Sequence, residues 1–378
     1  MSQRSYRDHL ASVVSTVNAH MPQSWRAAVQ AEGERVEGEV LAKRGLPDRL
    51  VLIVGGAGYV GSVMTGEFLR WGYRVRCLDG LAYHNNLTVL PYLSNPNYQF
   101  MRGDVRREAD VEKALQGVTD VIILAGLVGD PITKKYPELS ESINNGGMAQ
   151  VVKACTGKGL NKVVFVSTCS NYGLIPEGTI AAEDYELNPL SLYAKSKVAM
   201  EQMLLGARDK VDFNATVLRF STAFGLSPRM RFDLTVSEFT RAMHRHEDLL
   251  VYDAHTWRPY CHLLDFSEVL RRVLEAPVET VSFEVFNAGG DINNFTKKMI
   301  VEAILEKIPD APVRFQEHGT DPRNYKVNFS KIRQTLLFEP RWTVRDGIAE
   351  LLTALEQGLF DDVSSPASFY GNYEVFLD

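Results

Sequence analysis

Tyr193 and Lys197 stand four residues apart in the segment Tyr193-Ala-Lys-Ser-Lys197. On a helix, positions four apart share a face, so both side chains can enter one cleft. A phenol with a pKa near 10 is a poor base at neutral pH. A neighbouring ammonium and the positive ring of an oxidised nicotinamide would both favour the phenolate. Such a pair could take a proton from an alcohol while hydride leaves the same carbon. Lys197 could also hold the ribose hydroxyls of a cofactor. Thr168 closes the apolar run KVVFVST, and its hydroxyl can hydrogen-bond a reacting oxygen in either protonation state.

Tyr-x-x-x-Lys alone is a frequent chance pattern on a solvated helix face, and a glycine loop upstream makes it specific. Gly55-Gly56-Ala57-Gly58-Tyr59-Val60-Gly61 follows the apolar run RLVLIV. Gly55 permits a tight turn, Gly58 lets backbone approach a pyrophosphate, and Gly61 lets the next helix pack close to a sheet. The helix N-terminus, with Tyr59 and Val60, offers free N–H groups to phosphates. Asp79 ends the following apolar segment, YRVRCLD, about 20 residues on, where a carboxylate can accept hydrogen bonds from a ribose diol. The same charge repels the 2′-phosphate of NADP, so the loop reads as an NAD site.

These residues need elements to position them. RLVLIVGG, a helical stretch from Tyr59 to Trp71, and YRVRCLD make strand, helix, strand at βαβ length. FMRGDV, TDVIILAG, KVVFVST and NATVLRF read as further buried strands, with helices expected over 107–116, 137–158 and 190–210. Alternating β and α with continuous apolar strands implies an α/β, Rossmann-type doubly wound parallel sheet covered on both faces. Beyond Phe220, helices are expected over 234–246 and 265–276 and short strands at 249–252 and 284–287. The organisation expected is a helical N-terminal extension (1–48), an NAD-binding Rossmann domain (49–225) and a smaller C-terminal α/β substrate lobe (226–378). Segments of about 252–290 are expected to return to the sheet. In the extension, Leu10, Val13, Val14 and Val17 recur at helical spacing, which suits a packing arm, an oligomerisation arm or a lid.

The 378 residues carry a formal net charge of −6, which argues against a nucleic-acid partner. Hydrophobic residues make up 45% and charged residues 23%, ordinary for a globular chain. The four cysteines (Cys77, Cys155, Cys169, Cys261) form no C-x-x-C pair, so no metal site or dithiol is indicated, and a reducing compartment is. The chain shows neither a signal peptide nor an apolar run of membrane-span length. The expected location is cytoplasmic, with no membrane association.

GGAGYVG, Asp79, Gly103-Asp104-Val105, LAGLVGDP, STCSNYG and YAKSK occur in the order found in the extended short-chain dehydrogenases/reductases. The chain resembles the NAD-dependent nucleotide-sugar epimerase/dehydratase family over about 49–357. The resemblance implies a seven-stranded Rossmann sheet, with Asp104 and Val105 near the adenine. It places Leu124, Ala125, Gly126 and Asn144 near the cofactor. Val128, Thr168, Ser170, Asn171 and Thr222 would meet the substrate, a nucleotide-diphosphate sugar. It also implies a homodimer paired through the helices around 137–158 and 190–210.

Within this family, 4,6-dehydratases carry Thr-Asp-Glu where this chain has Thr168-Cys169-Ser170, so dehydration lacks its acid and base. Related decarboxylases carry a glutamate at the place of Ser170. The expected activity is therefore a nucleotide-sugar 4-epimerase, with a 4-dehydrogenase or 4-ketoreductase as the alternative. Arg258, in HTWRPYCHLLD, resembles the family arginine that holds the diphosphate, and a planar guanidinium suits that task. Arg229 and Arg231, in SPRMRFD, are further candidates. Thr222 departs from the asparagine that many epimerases carry there. Cys169 and His262 are expected to be packing residues rather than a nucleophile or a base.

Overall fold

The computed structural model describes residues 49–319, 321, 323–361 and 370–377. The helical extension expected over 1–48 lies outside the described residues. Seven strands form one sheet: β1 (Leu50–Val54), β2 (Arg74–Asp79), β3 (Tyr98–Arg102), β4 (Asp120–Ile123), β5 (Lys162–Thr168), β6 (Asn214–Phe220) and β7 (Glu284–Ala288). Their order is β7-β6-β5-β4-β1-β2-β3, every neighbouring pair parallel. The chain winds outward from β1 through β2 and β3, then crosses to β4 and winds the other way. Ligands of such sheets bind beyond the carboxyl ends of the strands, at the switch between β1 and β4. β1, β4 and β5 are buried at every residue, which is why LVLIV, DVII and KVVFVST are apolar except at the strand ends, where Asp120, Lys162, Ser167 and Thr168 stand.

The helices between them are Tyr59–Arg70, Glu108–Leu115 and Leu192–Leu205, close to the expected spans. The helix expected over 137–158 is present as one continuous run, 137–155, with a change of winding inside it. It consists of Pro137–Glu141, a π-helical turn Ser142–Gly147 and Met148–Cys155. Gly147 ends the π turn: a Cβ there would lie 2.7 Å from Val105 Cγ2, so the helix approaches the loop after β3 closely. Asn144, one turn earlier, spends its side chain on the backbone of Leu127 rather than on solvent. The extra residue of a π turn accommodates both demands.

The remaining strands build the lobe. Thr222–Phe224, Trp257–His262 and Asn294–Thr296 form a three-stranded sheet. Leu249–Tyr252 pairs with Val313–Gln316. Within 252–290, Glu284–Ala288 joins the large sheet, whereas Trp257–His262 joins the small one. The lobe has its own core, including Phe224, Phe239, Tyr260, Ile300 and Ile348. A second cluster joins Tyr59, on the glycine-loop helix, to Met230, Phe232, Leu263 and Leu351. Each fully buried side chain of this size contributes roughly 1.5–3 kcal/mol. This packing fixes residues 230–232 against the helix that opens the glycine loop. Among the described residues, no helix is long and apolar enough to cross a membrane.

Candidate active site

Gly55 follows β1 with φ +91, a conformation that side chains disfavour, and its N–H donates to Leu78 O at 2.8 Å. A Cβ on Gly61 would stand 2.3 Å from Gly55 O and 2.7 Å from Gly56 Cα. Backbone against backbone cannot yield, so only glycine lets the helix begin this close to the turn. Asp79 closes β2 beside the loop. Its Oδ2 accepts from Ala57 N (3.0 Å) and its Oδ1 from Leu81 N (2.8 Å). Burial pushes the carboxyl above its usual range, opposed by those two N–H donors and by Arg229.

A cavity of about 460 Å³ lies beyond these strand ends. Gly55, Gly58, Tyr59, Val60, Gly61 and Asp79 line it at one end, with Asp104, Val105, Leu124, Ala125 and Gly126. Thr168, Ser170, Tyr193 and Lys197 line its middle wall, and Val128, Thr222, Arg229, Arg231 and Arg258 also face it. Two expected residues do not line it. Asn144 Oδ1 accepts from Leu127 N and its Nδ2 donates to Leu127 O, so it props the cavity wall from behind. Asn171 is fully buried and donates to Ser167 Oγ and Glu201 Oε1. It belongs to a buried network in which Arg219 pairs with Glu201 at 2.9 Å and donates to Tyr172 at 3.0 Å. The structure thus places Asn144 and Asn171 behind the cavity wall, engaged by protein groups, and not among the residues that line it.

Ser191 caps the helix that carries the tyrosine, accepting from Ala194 N at 3.2 Å. Lys197 Nζ donates to Val166 O at 2.8 Å and lies 5.8 Å from the centroid of the Tyr193 ring. Burial pulls the Lys197 ammonium down to about 8. Burial also raises the Tyr193 phenol well above its usual value, and Arg231 is the strongest opposing charge. Without ligands Tyr193 is therefore a neutral phenol, and the cation that most favours its ionisation is Arg231 rather than Lys197. Thr168 Oγ1 accepts from Ser170 N at 3.1 Å and so starts the short turn Cys169–Tyr172. That turn sends Cys169 away from the cavity, its thiol donating to Arg219 O, and leaves Ser170 inside at 3.2 Å from the Tyr325 hydroxyl. Cys169 is a packing residue. So is His262, held between Glu350 (3.1 Å) and the N–H of Leu264, and stacked on Trp342.

The far end of the cavity holds residues that the sequence reading missed. Asp321 accepts from Arg258 at 3.1 Å and from Arg323 at 2.8 and 2.9 Å. Burial acts to raise this carboxyl, but the two guanidinium groups hold it well below the usual range. Arg323 also lies 3.6 Å from Asp130. Nearer the glycine-loop helix, in the segment packed on Tyr59, Arg231 makes a two-pronged contact with Asp233, at 2.9 and 2.5 Å. A signal for part of this set was present: Asp321, Arg323 and Tyr325 alternate in DPRNY as side chains of one face of an extended segment do. Arg229 faces the cavity too, but its guanidinium donates to Gly371 O at 2.9 Å and covers the Tyr83 ring.

A parallel doubly wound sheet, a glycine turn at its switch point, and a cavity with Tyr193, Lys197 and Thr168 define a dinucleotide-dependent oxidoreductase-type enzyme. The profile of the NAD dependent epimerase/dehydratase family matches residues 51–289, and the chain belongs to that family. It is thus an NAD-dependent enzyme, and the close-packed glycine turn with Asp79 beside it fits that dinucleotide. The chain is 27% identical over 320 residues to a dTDP-glucose 4,6-dehydratase of Streptomyces niveus, covering 79% of this chain and 90% of that one. It is also 27% identical over 335 residues to UDP-glucuronic acid decarboxylase 2 of Arabidopsis thaliana, covering 84% and 71%. In fold it is similar to a UDP-glucuronic acid 4-epimerase from Bacillus cereus, solved with UDP-glucuronic acid and NAD. The TM-score is 0.73 at 23% identity, over 82% of this chain and 99% of that one.

Proposed function

We propose that this enzyme is a nucleotide-sugar 4-epimerase. The observation that carries the reading is the turn after Thr168. It offers the cavity Ser170, bonded to Tyr325, and turns Cys169 away, so no carboxylate follows Thr168 to expel water or to drive decarboxylation. What remains at that wall is equipment for moving one hydroxyl proton. Gly55, Gly58, Gly61 and Asp79 would hold NAD, with Lys197 at its ribose. When bound, NAD+ would accept the hydride of the sugar's C4 and would bring a positive charge that favours the Tyr193 phenolate. Tyr193 takes the C4 hydroxyl proton as the O–H bond breaks, the C4–H bond gives up its hydride and the C4=O bond forms. Thr168 donates to that oxygen. After the keto sugar turns, Tyr193 returns the proton to oxygen as C4 regains its hydrogen on the other face. Arg231, Arg258 and Arg323 are the groups suited to the diphosphate.

The test is NMR analysis of products from UDP-, GDP-, CDP-, ADP- and dTDP-sugars with catalytic NAD. A C4 epimer, with NAD recovered oxidised, is expected. Net consumption of NADH, or an accumulating keto sugar, would instead establish the ketoreductase or dehydrogenase. Tyr193→Phe should lower kcat by roughly 10²–10⁴-fold while NAD still binds.

A further inference from the structure

Asn372, Tyr373 and Leu377 line the cavity, although none belongs to any motif of the sequence reading. They sit on a strap, residues 370–377, tied to three separate segments. Next to the arginines, Phe232 N donates to Tyr370 O at 2.8 Å, and Asn372 N donates to Asp233 Oδ2 at 3.4 Å. Arg229 holds Gly371 O. In the middle, Asn372 Nδ2 donates to Val128 O at 2.8 Å, while Glu374 accepts from the Tyr136 hydroxyl at 2.5 Å and pairs with Lys135. At the far end, Phe376 N donates to Ala82 O at 2.8 Å and its ring stacks on His84 with centroids 3.9 Å apart. Val375 and Leu377 pack on the sheet core, and Leu377 Cδ2 would lie 3.2 Å from a Cβ on Gly80, next to Asp79.

The three anchored segments are those that follow β2 and β4 and the one that carries Arg229 and Arg231. The segment after β2 is held in an unusual shape, with Leu81 and His84 both at positive φ. Residues other than glycine stay there only when their surroundings over-determine them, and Phe376 supplies two of those contacts. We infer that segment 370–377 is an outer wall of the dinucleotide site and retains NAD in the cavity from one turnover to the next. The inference rests on the reading of Asp79 and the glycine turn as the NAD site. It deepens the epimerase proposal, because hydride can return to the same sugar only if the cofactor stays.

The experiment loads the full chain with NAD, removes free nucleotide by desalting, and follows NAD released into filtrate, with no sugar nucleotide present. Deletion of 370–378 and the double substitution Phe376→Ala/Leu377→Ala are compared with the parent. Release is expected to be at least about tenfold faster in both variants, equivalent to about 1.4 kcal/mol. Equal release rates from parent and folded variants would overturn the inference. If the deletion fails to fold by circular dichroism, the double substitution decides, since Phe376 is 42% exposed and leaves no large cavity. A ketoreductase product with strap-dependent release would remove the epimerase reading alone. An epimerase product with strap-independent release would remove this inference alone.

Discussion

The two ends of the cavity are built from different materials. The dinucleotide end is mostly backbone: consecutive residues 55–61, one acid, and helix N–H groups. The end proposed for the substrate is mostly side chains, with Arg258 brought to Asp321 and Arg323 from a segment far away in the chain. At Gly55 and Gly61 the backbone cradle leaves no room for an added atom, so those two positions demand glycine. A charged side-chain site needs only that long flexible groups converge, and many segments can supply them. The first kind of site should therefore fail abruptly, the second by degrees.

Gly61→Ala should break the dinucleotide end outright. Its new Cβ would meet Gly55 O and Gly56 Cα, both backbone. A loss of about 1–3 kcal/mol in stability is expected from overpacking, together with loss of NAD binding by titration calorimetry. Undiminished NAD affinity would show that the turn adjusts, and the contrast would collapse. Arg258→Ala should do less. Asp321 keeps Arg323 as a partner, so the fold survives and NAD binding is unaltered. Nucleotide-sugar affinity should fall about tenfold, or about 1.4 kcal/mol, and an unchanged affinity would take Arg258 out of the substrate site.

The smallest effect sharpens the junction between the two ends. Burial pulls the Lys197 ammonium down to about 8 in the folded protein, whereas an unfolded lysine titrates near 10.4. Between those values the unfolded chain binds more protons than the folded one, so stability rises with pH across that window. Below about 8 both states are protonated, and the buried charge exerts its full destabilising effect. The melting temperature of the parent relative to Lys197→Met should climb between pH 8 and 10. A pH-independent difference would place Lys197 in a wetter setting than the cavity wall.

The same contrast governs what was legible beforehand. β1, β5 and the helix Tyr59–Arg70 could be read because continuous apolar runs and a 3.6-residue period are local properties. The helix expected over 137–158 forms as 137–155, but its π turn was not legible, because it lies where Gly147 meets a distant residue, Val105. Asn144 and Asn171 were given ligand roles by position in motifs, but whether an amide faces a cavity or a neighbouring backbone depends on the packing around it. Asp321, Arg323 and the strap 370–377 carried little local signal, since their partners lie on other segments.

From sequence alone came the parallel sheet, the glycine turn, Asp79, and the Thr168–Tyr193–Lys197 set, because each follows from spacing along one stretch or from a single element's periodicity. Only the tertiary structure decided which charge faces Tyr193, which arginines remain at the substrate end, and what closes the dinucleotide end. Those outcomes depend on burial and on distances between segments remote in the chain, and neither quantity exists until the sheet and the lobe have packed.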